Sequence, residues 1–188
     1  MAHIVLFHSI LGLRDAEHKI ASHFIDNGHQ VTLPDLYEGR SASNYPEGFA
    51  LFKTFDRADL LSRAKSAVKA VPQNAVLSGV SFGAGIVSDL WSDRPHMKGA
   101  LLFAGAAKWS SKMPSDLPVS AHIAKPDPFD DEAYFDQWRQ SAKTTQLEVH
   151  RYDNVGHYFL DKALDDYNEA ATKLCLDRSI EFLARINN

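Results

Sequence analysis

Cysteine is scarce in this sequence, which has Cys175 alone among 188 residues. One thiol cannot form a disulfide within the chain, so the fold cannot depend on such a bridge. Cys175 lies between two leucines in a segment with helical periodicity. We therefore expect it to be a small, buried helix residue rather than a reactive thiol.

Long apolar runs and an excess of positive charge are also lacking. No window approaches the ~18 apolar residues of a membrane span, and the first residues lack the basic segment of a signal peptide. The net charge is −4 without a basic stripe, which disfavours a protein that binds nucleic-acid backbones. We therefore expect a cytoplasmic protein that binds neither membranes nor nucleic acid, as a monomer or a homodimer.

Signatures of metal and nucleotide sites are missing as well. The histidine, cysteine and acidic residues show no spacing typical of metal ligands. The sequence has neither a G-x-x-x-x-G-K-[ST] phosphate loop nor a G-x-G-x-x-G fingerprint. We therefore expect no metal and no other cofactor.

What the sequence does contain is an alternation of short apolar runs with segments of helical periodicity. The runs are predicted as strands at residues 4–7, 29–33, 74–78, 99–105, 119–124 and 146–152. The alternation predicts a single domain over residues 1–188 with the α/β-hydrolase type of architecture. Such a domain has a mainly parallel sheet, here of about six or seven strands, with helices on both faces.

Three segments outside these strands have more open predictions. Residues 36–48 lack periodicity and are predicted to be a loop that could serve as a lid. Residues 49–71 are predicted to be one long helix or a broken pair of helices, and residues 160–186 a closing helix in one or two pieces.

The most informative stretch is Gly79-Val80-Ser81-Phe82-Gly83, which follows a predicted strand and opens a predicted helix. This context is typical of a G-x-S-x-G nucleophile elbow, in which a serine sits at a strained turn. Glycines two residues before and after the serine avoid clashes there. The helix N-terminus would direct N–H groups at the reacting centre. We therefore predict Ser81 to be a nucleophile.

Two further residues complete the chemistry that such a serine needs. Asp127 follows the fifth predicted strand and His157 follows the sixth. The order Ser, Asp, His is the one found on the α/β-hydrolase fold. His157 would take the serine proton, and Asp127 would hold the imidazole in the required tautomer. The carboxyl ends of parallel strands meet at one crevice, so we expect the three side chains to converge.

An acyl-transfer site also needs two N–H donors for the oxyanion. The backbone N–H of Phe82 is one candidate. The other should come from the loop after the first strand, from Ile10 or from Ser9. The Ser9 side chain either lines the site or is simply exposed.

These residues resemble the dienelactone hydrolase family of small α/β-hydrolases over nearly the full length of the chain. The resemblance rests on the elbow and on four further segments, at residues 4–7, 34–37, 122–127 and 152–159. It implies that Ser81, Asp127 and His157 occupy the family's nucleophile, acid and base positions. The founding members have cysteine where Ser81 stands and glutamate where Ser9 stands.

The resemblance also bears on the substrate. Founding members bind a substrate carboxylate with arginines, one of them just beyond the catalytic histidine, whereas this chain has Tyr158 and Phe159 there. A neutral, fairly apolar substrate is therefore expected. Its lining would come from Ser9 and from aromatic residues that could equally belong to the core: Tyr37, Phe49, Phe82, Trp109, Tyr158 and Phe159.

The resulting hypothesis is a serine hydrolase that cleaves a small carboxylic ester or lactone through an acyl-enzyme, without a cofactor. Two alternatives remain open. The same three residues could serve an acyltransferase or perhydrolase that passes the acyl group to an acceptor other than water. The chain could also be a non-catalytic, ligand-binding homologue, although ligand binding alone does not require Ser81, Asp127 and His157 together.

Overall fold

The computed structural model describes residues 1–187, in which strands and helices alternate. The strands are β1 (His3–Phe7), β2 (Gln30–Thr32), β3 (Val76–Val80), β4 (Ala100–Phe103), β5 (Leu117–Lys125) and β6 (Thr145–Asp153). The helices are α1 (Asp15–Asp26), α2 (Tyr45–Phe52), α3 (Arg57–Lys69), α4 (Phe82–Leu90), α5 (Glu132–Ser141) and α6 (Glu169–Asn187). A short 3-10 turn, Trp91–Asp93, follows α4.

The strands form one parallel six-stranded sheet in the order β2-β1-β3-β4-β5-β6. This confirms the predicted α/β-hydrolase architecture, and β6 lies at an edge of the sheet. The chain leaves β1 toward β2 on one side and returns to place β3 on the other side. The carboxyl ends of β1 and β3 therefore flank a topological switch point, where open parallel sheets bind their ligands.

Alternating side chains of the central strands pack against helices on both faces of the sheet. In β1, Val5 and Phe7 pack on the face that also holds Leu60 of α3 and Val87 of α4. Ile4 and Leu6 point to the opposite face, which α1 and α6 cover. The prediction for Cys175 is confirmed, because it is fully buried in α6 and burial raises the pKa of its thiol.

The segment predicted as a loop over residues 36–48 is partly helical, which corrects that prediction. Helix α2 already begins at Tyr45. Asn44 caps it by accepting a hydrogen bond from the Glu47 N–H at 3.0 Å, and Pro46 stands in the first turn. This cap and proline are standard helix-start signals. Asparagine and proline are also common in loops, and the glycine and serine residues around them led to the prediction of a loop.

The structure decides the two other open helical predictions, one for a broken pair of helices and one for a later start of the closing helix. Residues 49–71 form a broken pair, because α2 ends at Phe52 and Asp56 caps the new helix α3. The closing helix begins at Glu169 rather than at residue 160. Before it, Asp161 accepts the Ala163 N–H and holds a turn, and Asn168 caps α6 by accepting the Ala171 N–H. Within residues 1–187, no helix is long and apolar enough to cross a membrane.

Candidate active site

The turn between β3 and α4 has the geometry of a nucleophile elbow. Ser81 adopts φ 51° and ψ −108°, a left-handed conformation that is unfavourable for a residue with a side chain. A Cβ on Gly79 would lie 2.2 Å from the Gly83 carbonyl carbon, and one on Gly83 would lie 2.4 Å from the Phe7 carbonyl oxygen. Both glycines are therefore required by close backbone approaches.

The structure brings Ser81, His157 and Asp127 into one hydrogen-bonded series. His157 Nε2 lies 2.9 Å from Ser81 Oγ, and His157 Nδ1 lies 2.7 Å from Asp127 Oδ2. Because an ionised carboxylate can only accept, this geometry fits Nδ1–H donating to Asp127 and Ser81 O–H donating to Nε2. Asp127 and His157 are both buried, while Ser81 is partly exposed at the crevice.

The Asp127 carboxylate is held in its ionised form. Burial alone raises the pKa of this carboxyl, but the hydrogen bond and the charge of His157 together with two backbone N–H groups outweigh burial. Those N–H groups belong to Phe129 and Asp130, at 2.9 and 3.3 Å from Oδ1. The net pKa lies below its usual value. Asp127 is therefore equipped to orient an imidazole and to stabilise its protonated form.

The loop after β1 is fixed by the polar groups of Ser9. Its N–H donates to Glu17 Oε1, its Oγ accepts from the Leu11 N–H, and its carbonyl accepts from the Gly12 N–H. His8 Nδ1, 2.7 Å away, also donates to that carbonyl. Because the Ser9 N–H donates to Glu17 of α1, Ile10 stays the candidate for the second oxyanion donor.

The residues predicted to contact substrate lie elsewhere, and these predictions need correction. Ser9 is neither lining nor exposed; it is 2% exposed and organises its own loop. Tyr37 is fully buried, stacked on Phe55. Tyr158 is also fully buried, and its hydroxyl donates to Glu17. The Tyr37 and Tyr158 side chains point into the core and that of Ser9 into its loop, directions that a position next to a strand end does not reveal.

A cavity of about 390 Å³ opens above Ser81 and has mainly apolar walls. Phe82 and Phe49 line it as predicted, whereas Trp109 stacks on Trp138 away from the site and Phe159 is in the core. Its full lining is Ile10, Tyr45, Phe49, Arg57, Ser81, Phe82, Gly85, Ala104, Gly105, Ala106, Lys108, Phe129, Asp130 and His157.

Sequence reasoning missed several of these lining residues. Phe129 lies edge-on to the His157 ring with centroids 4.6 Å apart, and Tyr45 packs against both rings. Phe129 stands two residues after Asp127, a sequence signal that could have indicated it. Tyr45 lies in the segment predicted as a loop and carried no such signal. Residues 104–106 follow β4 and therefore lie at the carboxyl end of a strand, where ligands of parallel sheets bind. Their small side chains carry no catalytic group and gave no reason to single them out.

The described residues, 1–187, contain no cluster of three or more histidine, cysteine or acidic side chains placed to hold a metal ion. A hydroxyl, an imidazole and a carboxylate stand in one hydrogen-bonded series at the edge of a mainly apolar cavity.

The six-stranded fold and the serine elbow define an α/β-hydrolase. The profile of the dienelactone hydrolase family matches residues 1–187, and the chain belongs to that family, whose members are hydrolases acting on esters. A search of curated proteins finds no match.

Solved structures resemble this chain in fold at low sequence identity. A dienelactone hydrolase-like promiscuous phosphotriesterase from metagenomic libraries has a TM-score of 0.78 at 17% identity, covering 99% of this chain and 87% of that one. Thermogutta terrifontis esterase 2, phosphonylated by cyclosarin, has a TM-score of 0.70 at 15% identity, covering 98% and 83%. At these identities the likeness concerns the fold alone.

Proposed function

We propose that this protein hydrolyses a small, neutral and largely apolar carboxylic ester or lactone, with Ser81 as nucleophile, His157 as base and Asp127 as orienting acid. The observation that carries the proposal is the bridging position of His157. It lies within hydrogen-bond distance of both Ser81 Oγ and Asp127 Oδ2, as a base that activates a serine requires.

In the first half of the reaction, Ser81 Oγ attacks the carbonyl carbon while its proton passes to His157 Nε2. The N–H groups of Phe82 and Ile10 stabilise the oxyanion. Collapse of the tetrahedral intermediate breaks the ester C–O bond, and His157 returns the proton to the leaving alcohol. In the second half, water attacks the acyl-enzyme carbonyl while its proton passes to His157 Nε2. The ester bond to Ser81 then breaks, His157 returns the proton to Ser81 Oγ, and the acid is released.

The cavity walls support an apolar substrate without a carboxylate. Aromatic rings dominate them, and Arg57, the arginine of the lining, is 2.5 Å from Asp89, which balances its charge. The remaining charges are Lys108 and Asp130, of opposite sign. This composition gives an acidic substrate little advantage over a neutral one. We place the reaction in the cytoplasm, with no metal or other cofactor.

Hydrolysis of a panel of p-nitrophenyl and lactone substrates tests the proposal. The wild type should cleave neutral esters faster than matched esters that carry a carboxylate. Ser81→Ala should remove this activity while circular dichroism and the unfolding midpoint stay close to wild type. Retained activity in folded Ser81→Ala would refute the assignment. Product analysis with added alcohol or peroxide detects transfer of the acyl group to acceptors other than water.

A further inference from the structure

Glu17 is a buried carboxylate that the proposed reaction does not use. It is fully inaccessible, and within residues 1–187 it forms no ion pair. Burial raises the pKa of its carboxyl, against the opposing effect of the hydrogen bonds that it accepts. A carboxylate in this position destabilises a fold unless its oxygens find donors. Its donors therefore indicate what it does.

Three donors meet the Glu17 carboxylate, and one of them is explained by helix capping. Glu17 is the third residue of α1, and its Oε2 accepts from the Arg14 N–H at 3.0 Å, as a capping side chain does. Oε1 accepts from two groups outside the helix, the Ser9 N–H at 3.2 Å and the Tyr158 hydroxyl at 2.9 Å. Capping does not account for these two bonds.

The two outside donors adjoin the two halves of the proposed site. Ser9 immediately precedes Ile10, whose N–H we assign to the oxyanion. Tyr158 immediately follows His157, the proposed base. One carboxylate oxygen thus connects the oxyanion loop after β1 to the histidine loop after β6, although the two are more than 140 residues apart in the chain.

We propose that Glu17 is a positioning residue that fixes the Ile10 N–H relative to His157, so that oxyanion stabilisation and proton transfer act on the same carbonyl. The inference rests on the proposed function. It differs from a role in stability alone because the bonds reach the immediate neighbours of both functional groups. A displacement of about 1 Å at such groups costs on the order of 100-fold in rate.

Two variants and one control test this role. Glu17→Gln keeps the size of the side chain but turns an NH2 group toward one set of donors. Tyr158→Phe removes a single bond to Oε1. The control is Tyr152→Phe, since the Tyr152 hydroxyl also bonds a buried group, His122 Nδ1 at 2.8 Å, without contact with the site. All three are compared with the wild type at matched stability by lowering the temperature as needed.

We expect kcat for a neutral ester to fall by roughly 10- to 100-fold in Glu17→Gln and about 10-fold in Tyr158→Phe, because an oxyanion donor is misplaced. KM should change by less than about threefold in both, since transition-state rather than ground-state contacts are lost. Tyr152→Phe should leave both constants near wild type. Unchanged kcat in folded Glu17→Gln, or an equal loss of kcat in the control, would overturn the inference.

A second measurement is independent of activity. Amide hydrogen exchange in Glu17→Gln should accelerate together in residues 8–12 and 155–161, whereas Tyr152→Phe should leave both segments protected. Faster exchange in one segment alone would contradict the proposed link. If the wild type cleaves no ester, the proposed function fails, and the exchange result alone then decides whether Glu17 joins the two loops.

Discussion

At the scale of single residues, close backbone packing at the elbow requires glycine at one position of α4 but not at another. Gly83 and Gly85 both belong to α4, but their surroundings differ. A Cβ on Gly83 would lie 2.4 Å from the Phe7 carbonyl oxygen, whereas one on Gly85 would meet nothing within 4 Å. The pair therefore separates the effect of close approach from that of glycine in a helix.

Gly83→Ala is expected to destabilise the fold by about 1–3 kcal/mol, because the backbone of β1 or α4 must move to admit the methyl group. Gly85→Ala should change stability little or increase it by up to about 1 kcal/mol, as alanine favours helix. Urea unfolding measures the stability of both variants. Equal stabilities would contradict the close approach of α4 to β1 at Gly83.

Asp127 gives a second prediction at this scale. Asp127→Asn keeps the shape of the side chain but offers an amide to His157 Nδ1, which favours the wrong imidazole tautomer. We expect kcat for ester hydrolysis to fall by about 10⁴-fold while the protein stays folded. Steady-state kinetics and circular dichroism check this. A fall of less than about tenfold would mean that Asp127 does not orient the base.

The residue scale also shows most clearly what the sequence does and does not reveal. Ser81, Asp127 and His157 were predicted to converge because each follows the end of a strand, and the structure brings their side chains together. Ser9, Tyr37 and Tyr158 were misjudged because adjacency to a site does not fix side-chain direction. Their direction depends on long-range packing, such as the contact between Tyr158 and Glu17 across the molecule.

At the scale of elements, α2 and the loop after β5 form an aromatic wall in front of the site. Phe49 of α2 lies 6.2 Å from Phe129 between ring centroids, and both rings are about half exposed, at 43% and 45%. A bound apolar group would cover surface that these rings now expose to water. The wall therefore predicts a preference for longer or aromatic acyl groups.

Phe49→Ala should lower kcat/KM about 5-fold for an aromatic or long-chain ester, from the loss of roughly 1 kcal/mol of apolar contact, and change acetate hydrolysis little. Tyr134→Ala is the matched control, because Tyr134 is 38% exposed on α5 and lies outside the Ser81 cavity. An equal loss for acetate and for the long-chain ester would contradict an acyl-binding role for the wall.

The strands were easier to predict than the helices that surround them. The apolar runs at residues 4–7 and 99–105 were predicted as buried parallel strands, and the structure has strands there at His3–Phe7 and Ala100–Phe103. Helix limits depend on capping side chains that also form turns. Asn44 starts α2, whereas Asp161 holds a turn ahead of α6, and the local sequence alone did not separate these outcomes.

At the scale of the whole molecule, buried neutral histidines link stability to pH. Burial lowers the pKa of His8 and, more strongly, that of His122, where the charges of His150 and Arg178 add to the effect. Both histidines stay neutral in the folded state and bind protons when unfolded. Stability should therefore decrease as pH falls below the unfolded value, until the folded pKa values are reached.

Each such histidine contributes up to about 1.4 kcal/mol per pH unit to this dependence near and below about pH 6. Glu17 has the opposite effect, because burial raises its pKa in the folded state. Its contribution to the free energy of unfolding decreases as pH rises above its unfolded pKa. Urea unfolding at about pH 7.5 and about pH 5.5 should give a lower stability at the acidic pH, and His122→Gln should reduce the difference. If His122→Gln loses as much stability between the two pH values as the wild type does, His122 is not a cause of the pH dependence.

The most direct test of the account as a whole is covalent labelling of the purified protein with a fluorophosphonate, located by mass spectrometry. Wild type, Ser81→Ala and His157→Ala are labelled side by side, each shown to be folded. The account predicts one modification per chain on Ser81, absent from Ser81→Ala and strongly slowed in His157→Ala. Equal labelling of wild type and His157→Ala, or a folded wild type that stays unlabelled, would contradict an activated serine at this site.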